Sequence, residues 1–152
     1  MDLNKLVEVG KQGAEFNCIE GELIPVLMMD TPNGLEVVGV MSPDLESREA
    51  EKQYMESAIK GVLRERKATG YVHIAEGWGT TFVEASNRVQ GQIRDLPPED
   101  RYDMAIVTAI EKGNPNPVGY IGVIDTLPNG KRKLRKWEQS EQLIGRMVIT
   151  EW

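Results

Sequence analysis

The chain has 152 residues, of which 40% are hydrophobic and 28% are charged, with a formal net charge of −6. This composition excludes a disordered chain and is typical of one globular domain, which we place at residues 1–152. A single cysteine, Cys18, and a single histidine, His73, exclude an internal disulfide and a zinc site built from Cys and His. The neighbouring carboxylates of PPEDRYD at 97–103 leave a divalent-cation site open, but no calcium-loop spacing is present, so we expect no metal and no cofactor.

The N-terminal sequence MDLNKLVEVGKQG lacks the basic start and the apolar core of a secretory signal. The longest apolar run, LIPVLMM at 23–29, is far shorter than the ~20 residues that a membrane helix needs. These features predict a soluble cytoplasmic protein without a membrane partner.

The first half of the chain predicts a helix, a hairpin and a second helix. Asp2 is suited to cap a short amphipathic helix, and two β-like segments flank the turn sequence TPNG at 31–34. Hydrophobic residues at helical spacing predict a long helix over about 44–68. In that helix Leu63 belongs to the buried face and Arg64 to the exposed face.

The second half predicts strands. A second turn, PNG at 128–130, leads into a basic segment, and GRMVITEW is predicted as the last strand. The predicted order is α-β-β-α-β-β-β-β, with one further strand if the basic segment pairs at the sheet edge. We predict an α+β fold, a mainly antiparallel sheet with both helices packed on one face. The other predicted strands are 71–76, 103–110, which is apolar on both faces, and 118–125.

The interval 77–101 shows no sustained periodicity. A connection of ~25 residues in a compact domain is usually functional or disordered, so we predict a long functional or flexible loop there. The loop starts at the strand end that carries Glu76 and Trp78.

Val72, Ile74 and Glu76 alternate on one predicted strand face, which brings Glu76 to the rim of the core. Burying an unpaired carboxylate is costly, so we expect Arg101, at the start of the next strand, to pair with it. Trp78, between two glycines, is then either a binding surface or a side chain that seals the end of the core. The first interpretation makes Glu76, Trp78 and Arg101 the candidate binding site.

The strand-end pattern of Tyr71, Val72, Glu76 and Trp78, followed by a polar loop and PPEDR, resembles a family of uncharacterised bacterial and phage proteins. The similarity runs from the hairpin at 31–34 to the strand near 110. It implies a cytoplasmic or phage-related origin and no particular activity. Ala75 stands where the family pattern has a small hydroxyl residue, and Gly77 where it has an alanine.

A candidate nucleic-acid site lies in the sequence KRKLRKW at 131–137, where five cations precede an aromatic residue. A strand with cations on both faces does not pack on a core. This segment therefore either projects beyond the sheet or forms an edge strand whose lysines discourage pairing with another strand. The acidic body also opposes nucleic-acid binding. The cations are Lys131, Arg132, Lys133, Arg135 and Lys136.

The leading functional hypothesis is a small non-enzymatic protein that binds another macromolecule, most simply another protein, as a phage or mobile-element accessory or regulatory factor. Two alternatives are a hydrolase that uses Glu76 as acid or base, and a nucleic-acid binder that uses the basic segment. A general base at His73 is disfavoured by its position within a strand.

Overall fold

A computed structural model of the protein describes residues 1–41, 43–79, 101–140 and 148–152. The described chain contains two helices and six strands, and it confirms the predicted α+β class and element order. In chain order these are α1 (Leu3–Asn17), β1 (Val26–Thr31), β2 (Gly34–Gly39), α2 (Arg48–Glu65), β3 (Gly70–Gly79), β4 (Tyr102–Glu111), β5 (Val118–Thr126) and β6 (Arg132–Ser140). Neither described helix is long and apolar enough to cross a membrane.

The strands form one antiparallel sheet in the order β2-β1-β3-β4-β5-β6. The β1–β2 hairpin turns at the predicted TPNG sequence, where Thr31 pairs with Gly34. The Thr31 hydroxyl accepts a hydrogen bond from the Asn33 amide and donates one to the Gly34 carbonyl. Gly34 has a φ of +103°, which only glycine adopts readily.

Both helices begin at side-chain caps. Asp2 accepts a hydrogen bond from the Lys5 amide at 2.9 Å, which confirms the predicted cap of α1. Ser47 caps α2 through the Ala50 amide at 3.1 Å, so this helix starts a few residues later than predicted. Its phase is as predicted, because Leu63 is fully buried while Arg64 is exposed.

The two helices pack on opposite faces of the sheet, so the prediction that both share one face is wrong. Leu6, Val7 and Ala14 of α1 pack with Val72 and Ile74 of β3 in one core cluster. In the other cluster, α2 packs on strand side chains that point to the opposite side of the sheet. Its members from α2 are Met55, Ile59 and Leu63, and those from the strands are Leu27, Met29, Tyr71 and Ile110. The reason is that the central strands are apolar on both sides and each side needs a cover. We call the two sides the α1 face and the α2 face.

The chain end also differs from the prediction. Residues 148–152 form no strand, and 141–147 lie outside the described residues. Instead, the Tyr71 hydroxyl donates to the carbonyl of Ile149 and accepts from its amide. The indole of Trp152 donates to the Ala68 carbonyl at 2.9 Å. The Thr150 carbonyl also accepts a hydrogen bond from the Gly113 amide at 2.8 Å, in the turn after β4. These contacts fasten the tail to the α2 face of the core without adding a strand to the sheet.

Candidate functional site

The candidate site lies at the end of the sheet where β3 and β5 finish and β4 and β6 begin. We call this end the rim, comprising 76–79, 101–103, 124–126 and 132–135. β3 continues through Gly77 and Gly79, which pair with Met104 and Tyr102. The predicted loop therefore starts later than residue 77, and its segment 80–100 lies outside the described residues. Gly79 does not turn the chain, because it still pairs with Tyr102 in the ladder. A Cβ at this position would lie 2.5 Å from the Tyr102 ring, so the close packing requires glycine.

The partner of Glu76 is Arg132, so the predicted pairing with Arg101 is wrong. Oε1 of Glu76 lies 2.6 Å from Nη2 of Arg132, and the two side chains are only 10% and 11% exposed. The same oxygen accepts a hydrogen bond from the Leu23 amide at 3.1 Å. Glu76 faces Ala105 in the register, four residues beyond Arg101. That offset is about 13 Å along the strand, which places Arg101 out of reach.

The segment that follows α1 covers the Glu76–Arg132 pair. The backbone amide of Arg132 donates to the Ile19 carbonyl at 3.0 Å, and Nζ of Lys131 lies 3.1 Å from Oε1 of Glu20. Cys18, the first residue after α1, is fully buried, and burial raises the pKa of its thiol. The pair thus joins β3 to β6 beneath the segment that connects α1 with β1. This arrangement holds the scaffold together and leaves Glu76 little access to solvent.

Trp78 remains exposed at the rim. Its side chain is 43% accessible, and the guanidinium carbon of Arg101 lies 4.5 Å from the ring centroid. This is a cation–π contact, which orients both side chains while leaving much of the indole in solvent. Trp78 is therefore too exposed to act as a seal for the core. The structure brings two of the three predicted site residues, Trp78 and Arg101, into contact and separates Glu76 from them.

A cleft of about 380 Å³ opens beside Trp78 and Arg101, with Asp103, Asp125 and Arg135 in its wall. Nε of Arg135 donates to Oδ2 of Asp125 at 2.6 Å. This hydrogen bond holds the pKa of the Asp125 carboxyl below its usual value. The wall therefore combines one aromatic surface with both signs of charge. Sequence reasoning did not bring the two aspartates together, since their strands meet only in the folded sheet.

The basic segment forms the edge strand β6, as one of its two interpretations predicted. Three of its five cations have carboxylate partners: Arg132 with Glu76, Lys131 with Glu20 and Arg135 with Asp125. Lys133 and Lys136 make no ion pair with the described residues. A register shift opposite Gly122 and Ile124 breaks the alternation of β6. Because of this shift, Leu134 and Trp137, three positions apart, both pack on the α1 face.

His73 lies away from the rim, in the middle of β3. It is opposite Leu27 and Thr108 in the register and is only 9% exposed. Burial lowers its pKa to about 4, so the imidazole is neutral near pH 7. This environment gives His73 neither the solvent access nor the pKa of a general base.

Comparison of the chain with protein-family models, curated proteins and solved structures finds no match. The resemblance to the bacterial and phage family stays a prediction. Of its pattern residues, Tyr71 and Val72 are core residues on opposite faces, and Glu76 is held by Arg132. Trp78 alone of the four is exposed. Among the described residues no group of three His, Cys, Asp or Glu side chains is arranged to hold a metal ion.

Proposed function

We propose that this is a non-enzymatic protein that recognises another protein at the rim, with Trp78 and Arg101 as its main contact residues. The observation that carries the proposal is the 43% exposure of Trp78, whose ring is held by Arg101 beside the cleft. Trp and Arg are the residue types most enriched among those that dominate binding energy at protein interfaces. A preoriented pair loses less side-chain entropy on binding than two free side chains do.

The charges of the cleft wall supply a polar margin for this contact. Arg135 and Asp125 are 64% and 39% exposed and already bonded to each other, so a partner meets them without having to separate a buried pair. Asp103 faces Trp78 across β3 and β4 in the register. A partner that covers the indole and donates hydrogen bonds to these carboxylates fits the site.

The hydrolase alternative receives less support from the geometry. An acid or base must come within hydrogen-bond distance of the proton that it transfers. Glu76 is 10% exposed, and its Oε1 already accepts hydrogen bonds from Arg132 and the Leu23 amide. The role as a phage or mobile-element accessory factor rests on the family resemblance alone and stays part of the proposal.

The test compares the proteins that co-purify with the wild-type chain and with Trp78→Ala from a lysate of the source organism. Tyr54→Ala is the matched control, because Tyr54 is 55% exposed, lies on α2 and is not among the residues that line the cleft. The proposal expects one identified partner to be lost with Trp78→Ala and kept with Tyr54→Ala. With purified components, Trp78→Ala should raise Kd at least ~tenfold.

The thermal midpoint of Trp78→Ala should stay close to that of the wild type, since the indole is not a core side chain. An unchanged set of partners with Trp78→Ala overturns the proposal. A loss of binding that follows a comparable loss of folded protein also overturns it, because Trp78 would then serve the scaffold.

A further inference from the structure

The two edges of the sheet are protected very differently. β6 carries Lys and Arg along RKLRKWEQS, and cationic edge strands resist pairing with another chain. β2, at the opposite edge, has the sequence GLEVVG. Its one charged residue, Glu36, has Oε1 3.3 Å from Nη1 of Arg66. No described strand pairs with the outer side of β2, so this edge offers backbone groups to a further strand without a charge to prevent it.

The side chains along β2 are also unusually apolar for a free edge. Leu35 and Val37 are 40% and 55% exposed on the α1 face, where Val37 lies opposite Met28 of β1. Phe16, at the end of α1, is 77% exposed. Exposed apolar side chains that share one face of a free edge strand, as Leu35 and Val37 do, favour an interaction site.

Charge indicates which partner fits this surface. The chain carries a net charge of −6, so two copies repel each other wherever carboxylates meet. The stretch 31–41, TPNGLEVVGVM, contains a single charge, that of Glu36. Arg66 already neutralises it. This edge is therefore a place where two acidic molecules can approach closely.

We propose that β2 pairs with β2 of a second copy of this chain, antiparallel and about a two-fold axis through Val37. In this register the two Val37 side chains face each other, and Leu35 lies opposite Gly39. Glu36 lies opposite Val38. Centring the pair on Glu36 instead would place two carboxylates directly opposite, which is destabilising. The chosen register thus pairs β-branched side chains at the axis and joins the two sheets into one.

Sedimentation equilibrium tests the proposal with the wild-type chain from about 1 to about 100 µM, a range that reveals a dimer dissociating on dilution. The expected mass at high concentration is twice the 17.0 kDa of one chain. Val37→Lys places a charge at the axis and should give a monomer throughout, with an unchanged circular dichroism spectrum. Tyr54→Lys changes a side chain of the same exposure, 55%, on α2 and should still dimerise.

Cross-linking gives an independent readout that does not depend on Val37→Lys folding. Val37→Cys places two thiols at the axis, and mild oxidation should yield a covalent dimer. Cys18 is fully buried and does not compete. Tyr54→Cys should stay uncoupled.

If the wild-type chain is a monomer at the highest concentration, the proposal is overturned, and the remaining partner for the β2 edge is a strand of a different protein. Dimerisation of folded Val37→Lys, or equal cross-linking at positions 37 and 54, overturns it as well.

Discussion

Glu76 and Arg132 meet at 2.6 Å although 56 residues separate them in the sequence and two strands, β4 and β5, lie between theirs in the sheet. Glu76 ends the core side of β3, and Arg132 starts the edge strand. Because Leu23 also donates to the carboxylate, one oxygen ties together three parts of the chain. Because of these contacts, Glu76 stabilises the fold at the rim and is not part of its exposed surface.

We expect Glu76→Gln to lower the free energy of unfolding by about 3 kcal/mol, because it leaves the largely buried Arg132 charge without its counter-ion. Adding Arg132→Met should recover part of that loss, since the double variant has no buried charge at this place. Urea denaturation measures both. The control is Arg135→Gln, which breaks the exposed pair with Asp125 and should change stability little. Equal losses for Glu76→Gln and Arg135→Gln would contradict this assignment.

Gly10 allows α1 to lie close to the sheet. A Cβ at this position would come 2.6 Å from Cγ2 of Val72 and 2.7 Å from Cγ1 of Val107. We therefore expect Gly10→Ala to destabilise the protein by about 1–3 kcal/mol through overpacking, although alanine favours helix. Gly61→Ala on α2 is the matched control, because nothing lies within 4 Å of its added Cβ. Thermal or urea unfolding should show opposite signs for the two variants, and a stabilised Gly10→Ala would show that α1 is packed more loosely.

His73 makes stability depend on pH in a defined window. Its pKa falls from 6.5 in the unfolded chain to about 4 in the folded protein, so the unfolded state binds the proton more readily between these values. Above pH 6.5 the imidazole is neutral in both states, so His73 costs the folded protein no stability. As the pH falls from 6.5 towards 4, protonation of the unfolded chain lowers the free energy of unfolding. Between pH 7 and pH 5 the loss is about 2 kcal/mol. His73→Leu removes the titrating group, so urea unfolding at both pH values should show a smaller loss for the variant. If the free energy of unfolding falls equally in the wild type and in His73→Leu between pH 7 and pH 5, the loss belongs to other groups.

The nucleic-acid alternative is tested by chromatography on immobilised heparin. With three of five cations of the basic segment paired to carboxylates, we expect the protein to pass through at moderate salt. Lys133→Gln with Lys136→Gln is the informative double variant, because neither lysine makes an ion pair with the described residues. Retention that falls steeply with salt and disappears in this variant would favour the alternative instead.

Local signals in the sequence predict the elements well. The TPNG turn, the Asp2 cap and the phase of Leu63 depend on neighbouring residues, and the structure confirms each of them. The face of each helix depends on the whole sheet. The two-sided apolar pattern of 103–110 already requires a cover on both sides, which one helix on each face provides and two helices on one face do not.

The candidate site was predictable only in part. Trp78 is recognisable because a large aromatic at a strand end between glycines is unusual, but its neighbours come from strands whose order no local pattern gives. Arg132 was one cation among five in its segment. A signal for its inward position did exist: Arg132 lies two positions before Leu134 and so shares its strand face. A bulge then lets Trp137, three positions after Leu134, join the same face.

The contact between α1 and β6 sets the order in which this protein can fold. Trp137 donates from its indole to Glu15 across 122 positions of the chain, and Arg132 bonds to the Ile19 carbonyl nearby. During synthesis α1 leaves the ribosome long before β6 exists, so its sheet-facing side stays uncovered until most of the chain has emerged. Contacts of such high sequence separation slow folding towards the millisecond-to-second range. We therefore expect the nascent chain to become protease-resistant only after β6 has been released.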